Sequence, residues 1–436
     1  MRPVAAPPPH VPAERPIAVP HFVPVVDGLR GACALLVAIF HCWLYGGRAP
    51  LDGGPLLAFV AAGHLAVDFF FVLSGFVLFL PVARHGSIGS IASYATRRSA
   101  RIVPAYYAAI LVQAIVWVPL LGATPVFSSV GGVLLLGLHF AFLQYEIPSW
   151  LVRSLGYSGG VVGFGINGAL WTLSIEAMFY VALPLVASRY VRRPFLGLAV
   201  ALAGALLWRW GAYLVPSLAS VVGATGAVDH PEVPRLARQL PGYAAHFAFG
   251  MTGAAAFAHL YPLLRQPASE ATGARGRLPG LAAMLAPGIA AIALAVLVAA
   301  TIRVGTYNLL WRPIDDYQRY AGDIVAALAF AVLLVALALG PSRWQAPLTN
   351  RPARGLGDIS YGMYLWHTPI VLSVAALLGI DGEVENSTWA VVVVLVLAAT
   401  LLAGWISRRW IEEPAIRFAR ARVADSIRRP PRAARS

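Results

Sequence analysis

The sequence predicts an all-α polytopic membrane helix bundle of about ten transmembrane helices, with one re-entrant or interfacial segment. Three observations carry this prediction. Apolar residues fill 59% of the 436 positions, and the mean hydropathy is +0.71. Charged residues fill only 12%, against roughly 25% in soluble domains. The apolar residues also come in runs of about 20, the length a helix needs to cross hydrocarbon, with arginines gathered between the runs.

Residues 1–24 are proline-rich and lack an apolar run, so they read as a disordered cytoplasmic tail without the h-region of a signal peptide. The first span is therefore the insertion signal. Spans are expected near 25–45, 57–80, 104–122, 168–188, 195–214, 240–262, 280–302, 319–340, 359–379 and 388–408. Residues 88–103 read as a basic interfacial helix. The stretch 130–145, "VGGVLLLGLHFAFLQY", is apolar but short. Counting it as a span would invert every later helix, so it reads as re-entrant or interfacial. A membrane domain over 25–418 and a basic cytoplasmic tail over 419–436 account for the rest, with no soluble domain of useful size left over.

The chain has no lysine, so its net charge of +14 is carried by arginine alone. Arginine suits phosphate and carboxylate recognition, although a genomic bias is the simpler source. With the N-terminus inside, the loops "RHGSIGSIASYATRRSAR", "SRYVRR", "LLRQPASEATGARGR" and "PSRWQAPLTNRPARGLGD" face the cytoplasm, and the acidic "DGEVENST" faces out. This is the positive-inside pattern of a multi-pass protein of the plasma (inner) membrane with both termini cytoplasmic. The same pattern excludes nucleic acid as a partner. Cys33 and Cys42 are too far round one helix to bridge, and no cysteine-based metal site is expected.

Arg30 and His41 lie on one helix, eleven residues apart. That is close to three turns, so they share a face about 16 Å apart along the axis. Ionisable groups in a bilayer are costly and mark functional sites by default. The plainer reading is a topology-setting arginine and a packed histidine. His64 and Asp68, four apart in "GHLAVDFFFVLSGF", share a helix face. Glu176 lies in "ALWTLSIEAMFYVALP" and His246 in "YAAHFAFG". Counted from the outer ends of their spans, these four and His41 fall within roughly 20 Å of the outer face. An outward-opening polar cavity is expected there, against the alternative of separate interhelical hydrogen bonds. At the opposite depth, Arg98 and Arg101 in "RRSARIVPAYY" project from one side of a helix and, with Arg97, can grip phosphate. An ordinary positive-inside cluster would look the same. The sequence has no Gly-rich phosphate loop, no metal-ligand histidine pair and no Gly-x-Ser-x-Gly elbow.

Five segments, in order from residue 26 to about 418, resemble the acyltransferase-3 family of integral membrane O-acyltransferases. They are "VDGLRGACALLVAIFH", with its Arg-x10-His spacing; "VDFFFVLSGF"; "RRSARIVPAY", with Arg-x-x-Arg; "LWTLSIEAMFYVALP"; and "ISYGMYLWHTPI" followed by "IEEPAIRF". The resemblance implies transfer of an acyl group, acetyl in the simplest case, from cytosolic acyl-CoA as donor substrate, with no permanently bound cofactor and no metal. The acceptor is a hydroxyl of a cell-envelope sugar or glycan, of a lipid-linked sugar, or of a small metabolite such as a macrolide. The resemblance carries catalysis to His41 and puts Arg30, Arg98 and Arg101 at motif positions suited to CoA. Asp68 or Glu176 would orient the imidazole. Either general-base catalysis or an acyl-histidine intermediate fits these residues. Ala177 and Met178 depart from the family pattern, which leaves Glu176 as the one carboxylate of its motif, and Glu413 stands where a basic residue is common. His64, His246 and His367 have no assigned role. The non-enzyme alternative is a transporter or flippase for lipid-linked sugars, which would suit ten spans but lacks a visible inverted repeat.

The arginine distribution fixes a test of topology. Reporter fusions after Arg193 and within 381–388 are expected to report cytoplasm and outside, respectively. An outside signal after Arg193 would make 130–145 a true span.

Overall fold

A computed structural model describes residues 18–47, 54–122, 126–147, 149–157, 166–214, 232–265, 274–309 and 320–428. The described residues are helices and connections, with no strand among them. In chain order the helices are α1 (Val25–Tyr45), α2 (Gly54–Ala61), α3 (Leu65–His85), α4 (Ile91–Val112), α5 (Val130–Phe140), α6 (Ser149–Ser154), α7 (Trp171–Tyr190), α8 (Pro194–Leu214), α9 (Glu232–Ala237), α10 (Leu240–Arg265), α11 (Ala274–Leu309), α12 (Gly322–Leu339), α13 (Ser342–Thr349), α14 (Arg351–Leu377), α15 (Asn386–Ser407) and α16 (Glu413–Arg428).

Nine of the ten expected spans each fall on one continuous helix in the described residues; the span expected at 57–80 is instead broken at residues 62–64, between α2 and α3, and only α3 is long enough to cross. Nine stretches of the described residues are long and apolar enough to cross a membrane. The remaining expected span belongs to α14, which carries Arg351, Arg354 and Asp358 in its first turns and His367 further along. Arg351, Arg354 and Asp358 are exposed at its start, and further along Ser360, His367 and Thr368 are buried against the bundle. The apolar helix at 130–145 is only Val130–Phe140, too short to span, as expected of a re-entrant or interfacial piece.

Further expectations change. The basic segment 88–103 is not a separate interfacial helix. Ser90 caps α4 by accepting from the Ser93 amide at 3.2 Å, and the helix runs through Pro104 into the expected span. It then continues through a π turn at Gln113–Trp117 to Leu120. The N-terminal tail was expected to be disordered through residue 24, yet Val23 is buried and Val19 packs against the core. Residues 1–17 of that tail, 266–273 of the expected basic loop and 429–436 lie outside the described residues. At the other end, α15 passes through a second π turn, Arg408–Glu412, into α16, which extends helix into the segment expected as a tail.

Helix α3 is the most buried, with 78% of its apolar stretch inside the bundle. It packs on α1, α7, α10 and α12. By contrast, α8, α11 and α15 expose large apolar side chains such as Phe195, Ile292 and Val394, as helices facing lipid must. Close approach of α3 and α10 depends on glycine. A Cβ at Gly250 would lie 2.0 Å from the Val72 carbonyl oxygen, and one at Gly75 would lie 2.2 Å from that of Phe247. Small residues at such crossings let backbones meet, which is how membrane helices associate. Helices α1 and α14 are joined the same way, through Gly31 against Leu356 and Gly357 against the Asp27 carbonyl.

Gly250→Val is therefore expected to destabilise the protein by at least about 1–3 kcal/mol, the usual cost of overpacking, and to lower the Tm in detergent. Gly288 has no neighbour within 4 Å of its would-be Cβ, so Gly288→Ala should leave the Tm unchanged or slightly raised.

Candidate active site

The site is built where α1 and α14 run side by side. His41 is 8% exposed and His367 1%. His41 Nδ1 lies 3.1 Å from His367 Nε2 and 2.9 Å from the Val37 carbonyl oxygen. His367 Nδ1 lies 2.8 Å from the Tyr364 carbonyl oxygen and 3.3 Å from that of Met363. A carbonyl oxygen can only accept, so both Nδ1 atoms carry protons. His367 Nε2 is then a lone pair that accepts from His41 Nδ1–H and from the Thr368 hydroxyl, 3.1 Å away. In the neutral imidazole His41 Nε2 is then the nitrogen that carries the lone pair, with an imidazole instead of a carboxylate behind it.

The helix around His367 is held open on purpose. Pro369 lies inside α14 and has no N–H to give the carbonyl four residues back. That carbonyl belongs to Leu365. Two side-chain amides take the vacant place: Gln113 Nε2 at 3.3 Å and Asn167 Nδ2 at 3.2 Å. Gln113 opens the π turn of α4, where such turns often mark function. Asn167 sits in the segment before α7, and the buried His139 accepts from the neighbouring Ile166 amide at 3.2 Å. Pro184 in α7 repeats the device: it frees the Tyr180 carbonyl, and the Tyr94 hydroxyl donates to it at 3.2 Å.

A pocket adjoins this pair. Its lining includes Arg30, Arg98, Arg101, Glu176, Tyr180 and Tyr364. Glu176 accepts from the Ser74 hydroxyl at 2.8 Å and from the Tyr180 hydroxyl at 2.5 Å, and is within electrostatic reach of Arg30 and Arg98. Arg98 Nε is buried without a hydrogen-bond partner. Arg97 is exposed and is not among the lining residues. The pocket thus runs from an arginine end to Tyr364, whose carbonyl holds His367.

The expected cavity residues divide into separate groups. Glu176 sits with the arginines. Asp68 sits with His246, 3.6 Å away, and His246 lies 3.5 Å from Asp323. These three offer ligand atoms within 4.8 Å of one another. Both oxygens of Asp323, however, already accept from Arg209, at 2.7 and 2.6 Å. The group is thus anchored by the Arg209–Asp323 ion pair, which already occupies the Asp323 oxygens a cation would need. His64 stays near the pair: it precedes α3 and packs on Phe40, with ring centroids 5.5 Å apart. Neither carboxylate expected to orient His41 takes that place; His367 does. The sequence contained that signal, since "YLWHTPI" shows a histidine two residues before a helix-interior proline. Cys33 and Cys42 are buried and unpaired with each other.

A family model for an acyltransferase domain, acyltransferase-3, matches residues 23–408. The chain belongs to the acyltransferase-3 family. Among curated proteins it is similar to peptidoglycan O-acetyltransferase OatA of Listeria monocytogenes, 26% identical over 408 residues, 90% of this chain and 56% of that one. It is 25% identical over 405 residues, 90% of this chain and 55% of the other, to "Putative peptidoglycan O-acetyltransferase YrhL" of Bacillus subtilis. A "Putative O-acetyltransferase" of Staphylococcus aureus strain COL is 22% identical over 413 residues, 90% and 57% of the two chains. The chain spans little more than half the length of these relatives. No solved structure matches it.

The amide clasp on Leu365 gives a sharp test. Gln113→Leu with Asn167→Leu leaves a buried carbonyl unpaired, at a cost of about 1–3 kcal/mol, and should lower the Tm in detergent. Adding Pro369→Ala supplies the missing N–H and should recover part of the loss. No recovery would refute the pairing.

Proposed function

We propose that the chain transfers an acyl group, acetyl in the simplest case, from acyl-CoA to a hydroxyl of a cell-envelope glycan. The observation that carries this reading is the contact of His41 Nδ1 with His367 Nε2 at 3.1 Å, joined through Tyr364 to a pocket lined by Arg30, Arg98 and Arg101. The names of the relatives support O-acetyl transfer to peptidoglycan as the model for the acceptor.

In this reading the arginine end faces the cytoplasm, as the loop charges predict. Arg30, Arg98 and Arg101 hold the donor's phosphates through charge-assisted hydrogen bonds. Glu176 balances their charge and fixes Tyr180 and Ser74. The narrow pantetheine arm extends along the pocket toward Tyr364 and brings the thioester to the histidines. The acceptor approaches from the opposite end of the bundle.

The acceptor hydroxyl attacks the thioester carbonyl while His41 Nε2 takes its proton. Histidine suits this because its ordinary pKa is near operating pH. The His41 imidazolium keeps its Nδ1–H pointed at the His367 lone pair, so positive charge develops against a prepared acceptor. The tetrahedral intermediate then collapses, the carbon–sulfur bond breaks, and the proton on His41 Nε2 passes to the departing thiolate. The products are the ester and CoA thiol.

Donor-dependent kinetics in nanodiscs separate the two ends. General-base help is worth about 10²–10⁴ in rate, so His41→Ala should lower kcat by that much while acyl-CoA still binds. His367→Ala should give a smaller loss in kcat. Arg98→Ala with Arg101→Ala removes binding shared by ground and transition states, so it should raise the donor KM and largely spare kcat. Full kcat in the His41 variant would overturn the mechanism, and an unchanged donor KM in the double arginine variant would remove the CoA assignment.

A further inference from the structure

Helices α10 and α11 both pack on α12 but touch one another little. Between them lies a groove of about 840 Å³, with Leu198 of α8 at its side. Small residues line its deeper part, Gly253 and Ala256 from α10 and Ala331 and Ala336 from α12. Its rim is large and apolar, with Leu260, Leu281, Leu285 and Leu328 all exposed. From Arg265 back to Thr252 the groove follows α10 for about 20 Å. That is a little more than half of a hydrocarbon core of roughly 30 Å, so the groove has the depth of one leaflet.

One end of the groove is basic. Arg265 ends α10 and Arg343 lies in α13, and both line the groove. The Arg265 guanidinium sits over the Tyr261 ring, 5.6 Å from its centroid. Arg343 is placed by its helix. Gln345 Nε2 donates to the Leu337 and Gly340 carbonyls at 3.0 and 3.1 Å and so ties α13 to the end of α12. The Trp344 ring packs against Gly340, where a Cβ would lie 2.8 Å from it. Both arginines are exposed, and neither has a hydrogen bond or ion pair with another described residue. None of the described lining residues is acidic. An apolar slot that ends in tryptophan and unpaired arginine has the polarity of a membrane interface.

We propose that this groove holds one anionic glycerophospholipid, with an acyl chain along α10 and the phosphate between Arg265 and Arg343. Its leaflet is the cytoplasmic one in the orientation that loop charge predicts. The headgroup is anionic, as in phosphatidylglycerol, because the lining offers no carboxylate to an ammonium group. Basic pockets between membrane helices recognise anionic headgroups in this way. A second copy of the chain fits less well, since a two-fold interface pairs a patch with itself and would set arginine against arginine. The lipid splints α10 to α11, which otherwise meet chiefly through α12.

Native mass spectrometry of the delipidated full chain in detergent tests this. The probes are phosphatidylglycerol and phosphatidylcholine with identical acyl chains. Wild type should bind one phosphatidylglycerol at least about tenfold more tightly than phosphatidylcholine, as two headgroup arginines allow. The bound lipid should also raise the Tm. Arg265→Gln with Arg343→Gln should abolish the preference. Arg417→Gln with Arg420→Gln, at two exposed positions of α16 outside the groove, should keep it. Ala256→Phe fills the groove and should lower phosphatidylglycerol binding with both arginines in place. The arginine variants stand at exposed positions, so they decide the matter even if Ala256→Phe does not fold. Equal binding of the two lipids by wild type would overturn the proposal. So would an undiminished preference in the groove arginine variant, an equal loss in the α16 variant, or uptake of a polyprenyl phosphate in place of phosphatidylglycerol.

Discussion

In a bilayer a carbonyl without a partner costs several kcal/mol, and Pro369 creates one at Leu365 in the middle of a buried helix. Gln113 from α4 and Asn167 from the segment before α7 both spend their amides on it. The bond does more than repair a break. It ties two other parts of the chain to one point of α14, two residues from His367. The imidazole of His367 is then aimed by its own helix, through Tyr364 and Met363, and the close glycine contacts of α1 with α14 bring His41 to it. Remove the proline and the Leu365 carbonyl would have its own helix's N–H as a partner.

The polar interior is divided by charge type, which keeps each part affordable in low dielectric. The arginine pocket has one carboxylate, Glu176, held by two hydroxyls. The ion-pair network pairs Asp323 with Arg209 and sets His246 between two aspartates. The histidine pair has no full charge in its resting form. It is also buried with all its donors satisfied, so proton movement there need not wait for solvent to rearrange, which is the sense in which such sites are preorganised.

Most of the bundle was legible because each span is an apolar run of the required length, and α5 was legible as a non-span because it is too short. Helix α14 was legible as the apolar run 359–379, although its own Ser360, His367, Thr368 and Pro369 make that run less apolar than the others. Two boundaries were misread. Pro104 suggested a break between an interfacial helix and a span, but a proline only forbids the bond to the residue four before it, and α4 continues. The proline-rich tail suggested disorder through residue 24, but Val23 finds a place in the core. For the site, counting residues from the end of each span gives depth and nothing about rotation round the bundle. That is why His41, Asp68, Glu176 and His246 shared one expected level and yet fall into three groups. Arg30, Arg98 and Arg101 were grouped rightly because they stand at helix ends that loop charge orients. His367 was quoted in a motif and left without a role, because a pairing across 326 residues leaves no trace in local spacing.

That separation has a consequence for how the protein comes into being. Helix α1 leaves the ribosome among the first structured segments and α14 among the last. Membrane insertion proceeds in that order, so His41 waits in the bilayer for nearly the whole of synthesis without its neighbour. A chain stopped before α14 has His41 but neither His367 nor the Ser360, Tyr361 and Tyr364 side chains that complete the arginine pocket. The histidine pair and the clasp on Leu365 are therefore assembled only near the end of translation.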